Sequence, residues 1–468
     1  MNSLLLGGFI AVMASGVPIA IAMCIASLLY ILATGLIPPL TIVHRMVGGV
    51  DSFPLLAVPF FILAGNLMNS AGITNRIYDY ALALVGWLKG GLGHVNVVGS
   101  VIFAGMSGTA IADAGGLGTI EIKAMQDHGY PTEFAVGITA ASATLGPIIP
   151  PSLPMVIYGV QANTSIGKLF AGGFIPGAVM AIFMMVMVGY YAHVRKYGAD
   201  IAFSWSRMGH AFIETGAIVV VSVVLYFLWA DESYGGLVRF GLPMLAVMVA
   251  DKLFKFDAFM ALLTPIILIG GMASGLFTPT EAAVAAVAWA LFLGFVWYRT
   301  LNFRMLIKIS METIETTATV LFIVASASIF AWVLTTTQIT DAIAAWVLSI
   351  SSSPWVFLLL ANIFLLFVGC FMETIAAITI LVPVFMPIIA KLGIDPVHFG
   401  LIMVLNLMIG LLTPPVGMVL FILQKVSKLS FEQTVKAVLP WLWPLLATLV
   451  LITYVPQLVL WLPGILYK

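Results

Sequence analysis

The chain has 468 residues, 62% of them hydrophobic and 8% charged, with 19 basic and 19 acidic side chains and a formal net charge of zero. A soluble domain carries about 25% charged residues, so the expected solvent is the lipid bilayer, and the neutral balance gives nucleic acid nothing to bind. Cys24 and Cys370 stand 346 residues apart in apolar surroundings, and no disulfide is expected.

A membrane span needs about 20 apolar residues. Met1-Asn2-Ser3 followed by Leu4-Leu5-Leu6 lacks a basic n-region and an evident cleavage site, so the start is expected to be a retained first span. In chain order the expected spans are 3–16, 18–37, 54–70, 77–88, 169–192, 210–230, 236–250, 258–275, 281–298, 309–335, 342–352 and 437–461. The runs 94–120 and 355–390 each fold about a polar middle. The runs 134–160 and 399–424 are each broken by a Pro-Pro pair. Segment 425–436, with Lys425, Lys428, Glu432 and Lys436 among apolar residues, predicts an amphipathic helix in the interface. The expected fold is an all-α polytopic membrane protein of roughly a dozen spans plus two re-entrant helical hairpins.

The two broken regions repeat. Gly105, Gly146, Pro150 and Pro151 recur as Gly369, Gly410, Pro414 and Pro415, each 264 residues later. A proline-bearing turn interrupts each copy, at Gly129-Tyr130-Pro131 and at Gly393-Ile394-Asp395-Pro396. Met-Ala-Ser-Gly occurs at 13–16 and again at 272–275. Apolar segments broken by Gly and Pro at matching places point to a secondary transporter with inverted repeats and a midplane site. The expected units are a first-repeat scaffold and arm (1–88) and a first hairpin with its broken helix (89–168). A connecting span and two-span insertion (169–257) follow, then a second scaffold and arm (258–352), a second hairpin with its broken helix (353–424), and a last segment (425–468). The stretch 197–257 has no counterpart in the first half. Basic clusters at His193–Lys196, Lys252 and Lys255, and Arg299–Lys308 are expected in the cytoplasm. The turns at Asp231-Glu232 and Thr278-Pro279-Thr280-Glu281 carry acid without base and are expected outside, and so is the N-terminus if 3–16 is inverted relative to 258–275.

Three constellations carry candidate chemistry. Gly105 through Gly116 is glycine-rich and hydroxyl-bearing and contains Asp113, an ionisable residue inside a span. Unwound backbone and hydroxyls suit a dehydrated Na⁺; small residues also let helices pack closely. Glu373, in Gly369-Cys370-Phe371-Met372-Glu373-Thr374, is flanked by long apolar runs, although a carboxylate there can also snorkel to the interface. The pairs Pro150-Pro151 and Pro414-Pro415 free carbonyls one turn earlier and predict discontinuous helices, a simple kink being the plainer alternative. Glu312 and Glu315 are expected to begin a span and pair with Arg304 or Lys308. Gly105-Met106-Ser107-Gly108 also fits the four-residue pattern of rhomboid-type intramembrane serine proteases. A serine nucleophile needs a positioned base, and His94, His128 and His398 fall in or near charged loops. No P-loop is present, so the chain is expected neither to hydrolyse ATP nor to be an enzyme.

Four motifs stand in order: Gly-Met-Ser-Gly-Thr-Ala-Ile-Ala-Asp at 105–113, Ile-Pro-Pro-Ser-Leu-Pro-Met-Val-Ile-Tyr-Gly at 149–159, Phe-Thr-Pro-Thr-Glu-Ala-Ala at 277–283 and Gly-Leu-Leu-Thr-Pro-Pro-Val-Gly at 410–417. Together they resemble the large membrane subunit, DctM type, of TRAP (tripartite ATP-independent periplasmic) transporters, over nearly the whole chain outside 197–257. The resemblance implies Na⁺-driven import of a small organic acid anion, a carboxylate or sulfonate, across a bacterial inner membrane. It implies an elevator mechanism, a small four-helix membrane subunit of the DctQ type, and a periplasmic substrate-binding protein of the DctP type. It implies at least two Na⁺ sites: Ser107, Gly108, Thr109, Asp113 and Gly146 for one, and Gly369, Glu373, Gly410 and Thr413 for the other. Substrate is expected between the tips, near Ser107, Thr109, Ser152 and Glu373. Many members carry Asp where this chain has Glu373, and members usually lack the spans at 210–250. A stand-alone dicarboxylate/Na⁺ carrier is the competing reading.

Overall fold

The computed structural model of the chain describes residues 2–35, 37–206, 258–273, 276–350 and 352–467, with scattered positions in 209–224. The turn Asp231-Glu232, Lys252, Lys255, the span 236–250 and much of 210–230 lie outside the described residues, as does the end of the second Met-Ala-Ser-Gly. Among the described residues the fold is all-helical, with one isolated bridge between Lys89 and Ala199. Lipid offers main-chain groups no partner, so each apolar run satisfies its amides within a helix. Both cysteines are free.

Six helices among the described residues are long and apolar enough to cross alone: Phe53–Ser70, Ile166–Val194, Pro279–Trp297, Phe303–Thr336, Thr374–Lys391 and Phe431–Tyr454. The other apolar helices run to 10–17 residues. The expected dozen full spans therefore becomes a smaller set of long helices and a larger set of short ones. Segment 38–53 had no expected span, yet it holds the helix Leu40–Val50, none of whose residues is buried, packed along Phe303–Thr336. Thr278-Pro279-Thr280-Glu281, read as a turn, starts the helix Pro279–Phe292: Thr278 and Glu281 form a reciprocal capping box with Pro279 at the first helical position.

The C-terminal reading needs correction in two places. The interfacial helix expected over 425–436 does not form as one piece. Lys425 belongs to the helix Met418–Ser427, Lys428 adopts a left-handed φ of 62°, and a new helix starts at Phe431 behind a Ser430/Gln433 capping box. That helix continues without a gap to Tyr454, so Glu432 and Lys436 lie at the head of a long span. The expected span 437–461 then breaks at Val455-Pro456, and Gln457–Leu466 follows as a separate helix.

The hairpins and broken helices lie where the Gly and Pro residues put them. Gly91–Ser107 runs to the first tip and returns through Ala110–Gly115 and Leu117–Asp127; Pro354–Gly369 and Thr374–Lys391 form the second. Thr132–Ala143 and Leu153–Gln161 flank Pro150-Pro151, and Pro396–Gly410 and Met418–Ser427 flank Pro414-Pro415. Both Pro-Pro bonds are cis. The halves interlock: Leu153–Gln161 packs on Thr374–Lys391, and Met418–Ser427 on Ala110–Gly115. Buried amides tie each broken helix to the first arm of its hairpin. Ser142 Oγ donates to Asn96 Oδ1 (2.6 Å), and Asn406 Nδ2 donates to Asn362 Oδ1 (2.7 Å). Ser142 and Asn406 are themselves 264 residues apart. A buried polar pair fixes which helix faces which, although Asn406 Oδ1 itself finds no partner.

Candidate functional site: two hairpin tips around one cavity

At the first tip the helix Gly91–Ser107 ends on Gly108, with φ +64°, a conformation that strains any residue with a Cβ. The tip is docked on the neighbouring break. Leu153 N–H donates to Gly108 O (3.2 Å), and a Cβ on Gly108 would lie 2.7 Å from Pro151 O. Thr109 is extended and its Oγ1 accepts Ala112 N–H (3.2 Å), starting the return arm. Behind the tip lies a buried group of oxygens. Asp113 is 2% exposed and Ser107 7%, and neither Asp113 oxygen nor Ser107 Oγ has a hydrogen-bond partner. Gly146 closes the group: a Cβ there would stand 3.1 Å from Asp113 Cγ and 3.3 Å from Ser107 Oγ. Three predicted residues thus meet in one buried place, where a carboxylate is costly to keep charged unless a cation joins it or a proton neutralises it. Gly108 and Thr109 adjoin it along the chain, with Gly108 O already bonded to Leu153.

The second tip is built differently. Gly369 and Gly410 touch: a Cβ on Gly369 would lie 3.0 Å from Gly410 Cα. Thr413 Oγ1 donates to Gly410 O (2.8 Å) and lies 3.0 Å from Cys370 Sγ, and Val416 N–H donates to Cys370 O (3.3 Å). Gly369, Gly410 and Thr413 are therefore together. Glu373, grouped with them in the sequence reading, faces elsewhere: its Oε2 accepts Ile375 N–H (2.9 Å) and Ala376 N–H (3.2 Å), capping Thr374–Lys391. Ser152 is fully buried and occupied. Its Oγ donates to Pro147 O (2.5 Å) and accepts Met155 N–H (3.3 Å), capping Leu153–Gln161.

Between the tips lies a cavity of about 420 Å³. Thr109, Ala110 and Ile111 line it from the first hairpin, and Glu373, Thr374 and Ile375 from the second. Pro147, Leu153 and Pro154 come from one broken helix, and Met408 and Leu411 from the other. Thr109 and Glu373 thus face the same space, whereas Ser107 and Ser152 stand behind its wall. The fifth contributor is the helix Phe303–Thr336, which presents Glu315, Thr316, Thr319, Val320 and Ile323. Sequence reasoning had placed Glu315 at a span end, paired with a base. The pair expected for Glu312 forms, with Lys308 at 3.8 Å, whereas Glu315 faces the cavity. The missed signal is the Glu315/Thr316/Thr319 face, at i, i+1, i+4, on a helix that begins at Phe303 rather than at 309. Glu121 was missed too: it is 1% exposed and accepts Asn96 Nδ2 (2.7 Å), which also reaches Thr139.

Among the described residues no histidine bonds Ser107. His94 lies thirteen residues earlier on the same helix, about 20 Å along its axis. His398, which was expected near a loop, is buried with Nε2 2.8 Å from Ile452 O.

The chain matches the family described as "Tripartite ATP-independent periplasmic transporter, DctM component" over residues 6–458. It is 43% identical to the sialic acid TRAP transporter large permease protein SiaM of Vibrio cholerae, over 97% of each chain. It is 39% identical to the C4-dicarboxylate TRAP transporter large permease protein DctM of Pseudomonas aeruginosa, over 88% of this chain and 87% of that one. Among solved structures it shares its fold with the Alcanivorax borkumensis YdaH transporter, with a TM-score of 0.59 at 15% identity, covering 88% of this chain and 86% of that one. Large permeases of this family are inner-membrane transporter subunits rather than enzymes, and they work with a small membrane subunit and a periplasmic binding protein. The ordered motifs, the paired hairpin tips and these matches agree, and the chain belongs to the DctM family of TRAP transporter large permeases.

Proposed function

We propose that this permease imports a small organic acid anion by Na⁺ symport, with the substrate in the cavity between the tips and Na⁺ behind each tip. The carrying observation is the buried set Ser107, Asp113 and Gly146: a carboxylate with no partner among apolar helices, beside a hydroxyl and an unwound glycine. The chemistry fits Na⁺. One carboxylate with hydroxyl and carbonyl oxygens suits a monovalent ion, whereas Ca²⁺ takes six to eight oxygens with more charge. Gly369, Gly410 and Thr413 would form the second site from neutral oxygens. The cavity also abuts the first turn of Leu153–Gln161, whose dipole favours an anion without any arginine.

An inverted-repeat elevator is the motion this reading adopts. It is supported by helix starts that repeat at the motif offset: Ala110 and Thr374, Thr132 and Pro396, each 264 apart. Units 89–168 and 353–424 would move together, against a scaffold that includes Phe303–Thr336. Proteoliposomes holding the large and small subunits, supplied with a binding protein, should take up labelled sialic acid or succinate only under an inward Na⁺ gradient. Equal uptake driven by ATP or by a proton gradient in Na⁺-free buffer would overturn the proposal.

A further inference from the structure

The cavity carries two carboxylates, from different elements. Glu373 stands at the second tip and Glu315 on the long helix Phe303–Thr336, and both line the same 420 Å³. Among the described lining residues there is no Lys, Arg or His. Among the described residues no ion pair involves Glu315, since Lys308 pairs with Glu312 one turn earlier. Glu373 turns Oε2 to its own helix start, but that bonding leaves its charge in place. The hydroxyls beside Glu315 add no donors either: Thr316 and Thr319 give their protons to Glu312 O and Glu315 O, so toward the cavity they only accept. Thr109 is the opposite case. Its Oγ1 accepts Ala112 N–H, and its proton remains to donate. The cavity lining therefore offers two carboxylates and two acceptor-only hydroxyls, at Glu315, Glu373, Thr316 and Thr319, against a donor at Thr109 and the hydroxyl of Thr374, whose buried Oγ1 has no partner.

We infer that the substrate is a monoanion rich in hydrogen-bond donors, a hydroxylated or amide-bearing monocarboxylate, and that Glu315 is the residue that rejects dianions. This rests on reading the cavity as the substrate site. A hydroxyl or amide N–H set against a carboxylate makes a charge-assisted hydrogen bond, about twice as strong as a neutral one. A second substrate carboxylate there would instead meet two fixed negative charges inside largely apolar walls. Specificity through such a repulsive element needs no extra contact to the favoured ligand.

The test uses the purified complex of large and small subunits in detergent at saturating Na⁺. Its thermal unfolding is followed while sialic acid (one carboxylate, several hydroxyls, one amide) or succinate (two carboxylates, no such donor) is titrated. Sialic acid should stabilise the complex at a concentration at least about tenfold below that needed for succinate. Glu315→Gln and Glu315→Ala should each narrow that gap about tenfold by improving succinate binding, while Glu312→Gln, whose parent side chain pairs with Lys308, should not change it. Succinate binding as tight as sialic acid in the unmodified complex, a gap unchanged by both Glu315 variants, or stabilisation by neither ligand would overturn the inference. Repeating the titrations with choline in place of Na⁺ separates the two proposals: a preserved gap without Na⁺ removes ion coupling and leaves charge selection standing.

Discussion

The first hairpin keeps its acid deep. Asp113 lies behind the tip, 2% exposed, beside Ser107 and Gly146 and without a hydrogen bond. The second hairpin keeps its acid at the tip, where half-buried Glu373 caps a helix and borders the cavity. The residue 264 positions after Asp113 is Ala377, fully buried, and the one 264 positions before Glu373 is Thr109. Two hairpins with matching punctuation have thus exchanged a charge for a small neutral side chain in opposite directions. Backbone geometry follows the Gly and Pro residues, and charge placement follows a handful of side chains. On the proposed reading, the first hairpin holds its ion with a formal charge, the second holds its ion with dipoles alone, and the second hairpin's charge serves the substrate.

Breaking the buried side of this comparison should have the largest effect. Asp113→Asn should abolish Na⁺-dependent uptake, a loss of at least about a hundredfold, with the complex still folded, because an amide cannot neutralise a cation and a neutral side chain is cheaper to bury. Transport assays on purified complexes check it. Retention of wild-type Na⁺ affinity would move the ion elsewhere. Next comes Gly410→Ala, whose Cβ would fall within about 2.5 Å of Gly369 backbone atoms. Overpacking of this kind costs about 1–3 kcal/mol. Thermal unfolding should fall by several degrees and uptake should fall with it; unchanged unfolding would mean the tip can part from the break at little cost.

Glu373→Gln sharpens the other side. The amide oxygen can still accept from Ile375 and Ala376, so the cap survives while the charge goes. Apparent substrate affinity should change by about tenfold, with stability changing by less than about 1 kcal/mol. Unchanged substrate affinity and uptake rate would return Glu373 to a capping role alone. The smallest effects belong to the hydroxyls. Ser107→Ala removes one unpartnered oxygen from the Asp113 group and should weaken apparent Na⁺ affinity by a few-fold to about tenfold. Thr109→Ala removes a cap worth about 1 kcal/mol and a cavity donor. If both variants transport normally, the small residues of the first tip serve packing alone.

Much of this site could be read from the chain. Gly108 with its left-handed backbone, Gly146, Gly369 and Gly410 with no room for a Cβ, and the Pro-Pro pairs announce tips and breaks, and Asp113 stands out as a charge in an apolar run. Two kinds of feature were hidden. Glu315 was misplaced because its helix starts nearly two turns earlier than the apolar run does: hydropathy marks where lipid begins, and helices extend past that line. The break at Lys428 was missed because a lysine, not a glycine, takes the left-handed turn. Glu121 and Asn96 gave no signal either, since each looks like an ordinary polar residue until the other is seen across the helix pair.

The unbroken helix Phe303–Thr336 has one more consequence. Its 34 residues extend about 51 Å, well beyond a hydrocarbon core about 30 Å thick. Glu315 stands about 18 Å from the Phe303 end and about 32 Å from the Thr336 end. The cavity it borders is therefore displaced from the centre of that helix toward the end that carries Arg304. An off-centre vestibule makes the ligand's path to one aqueous phase short and its path to the other long. A membrane-impermeant thiol reagent should then modify a cysteine placed at Thr316 from the Arg304 side alone, and equal labelling from both sides would show the vestibule to be central.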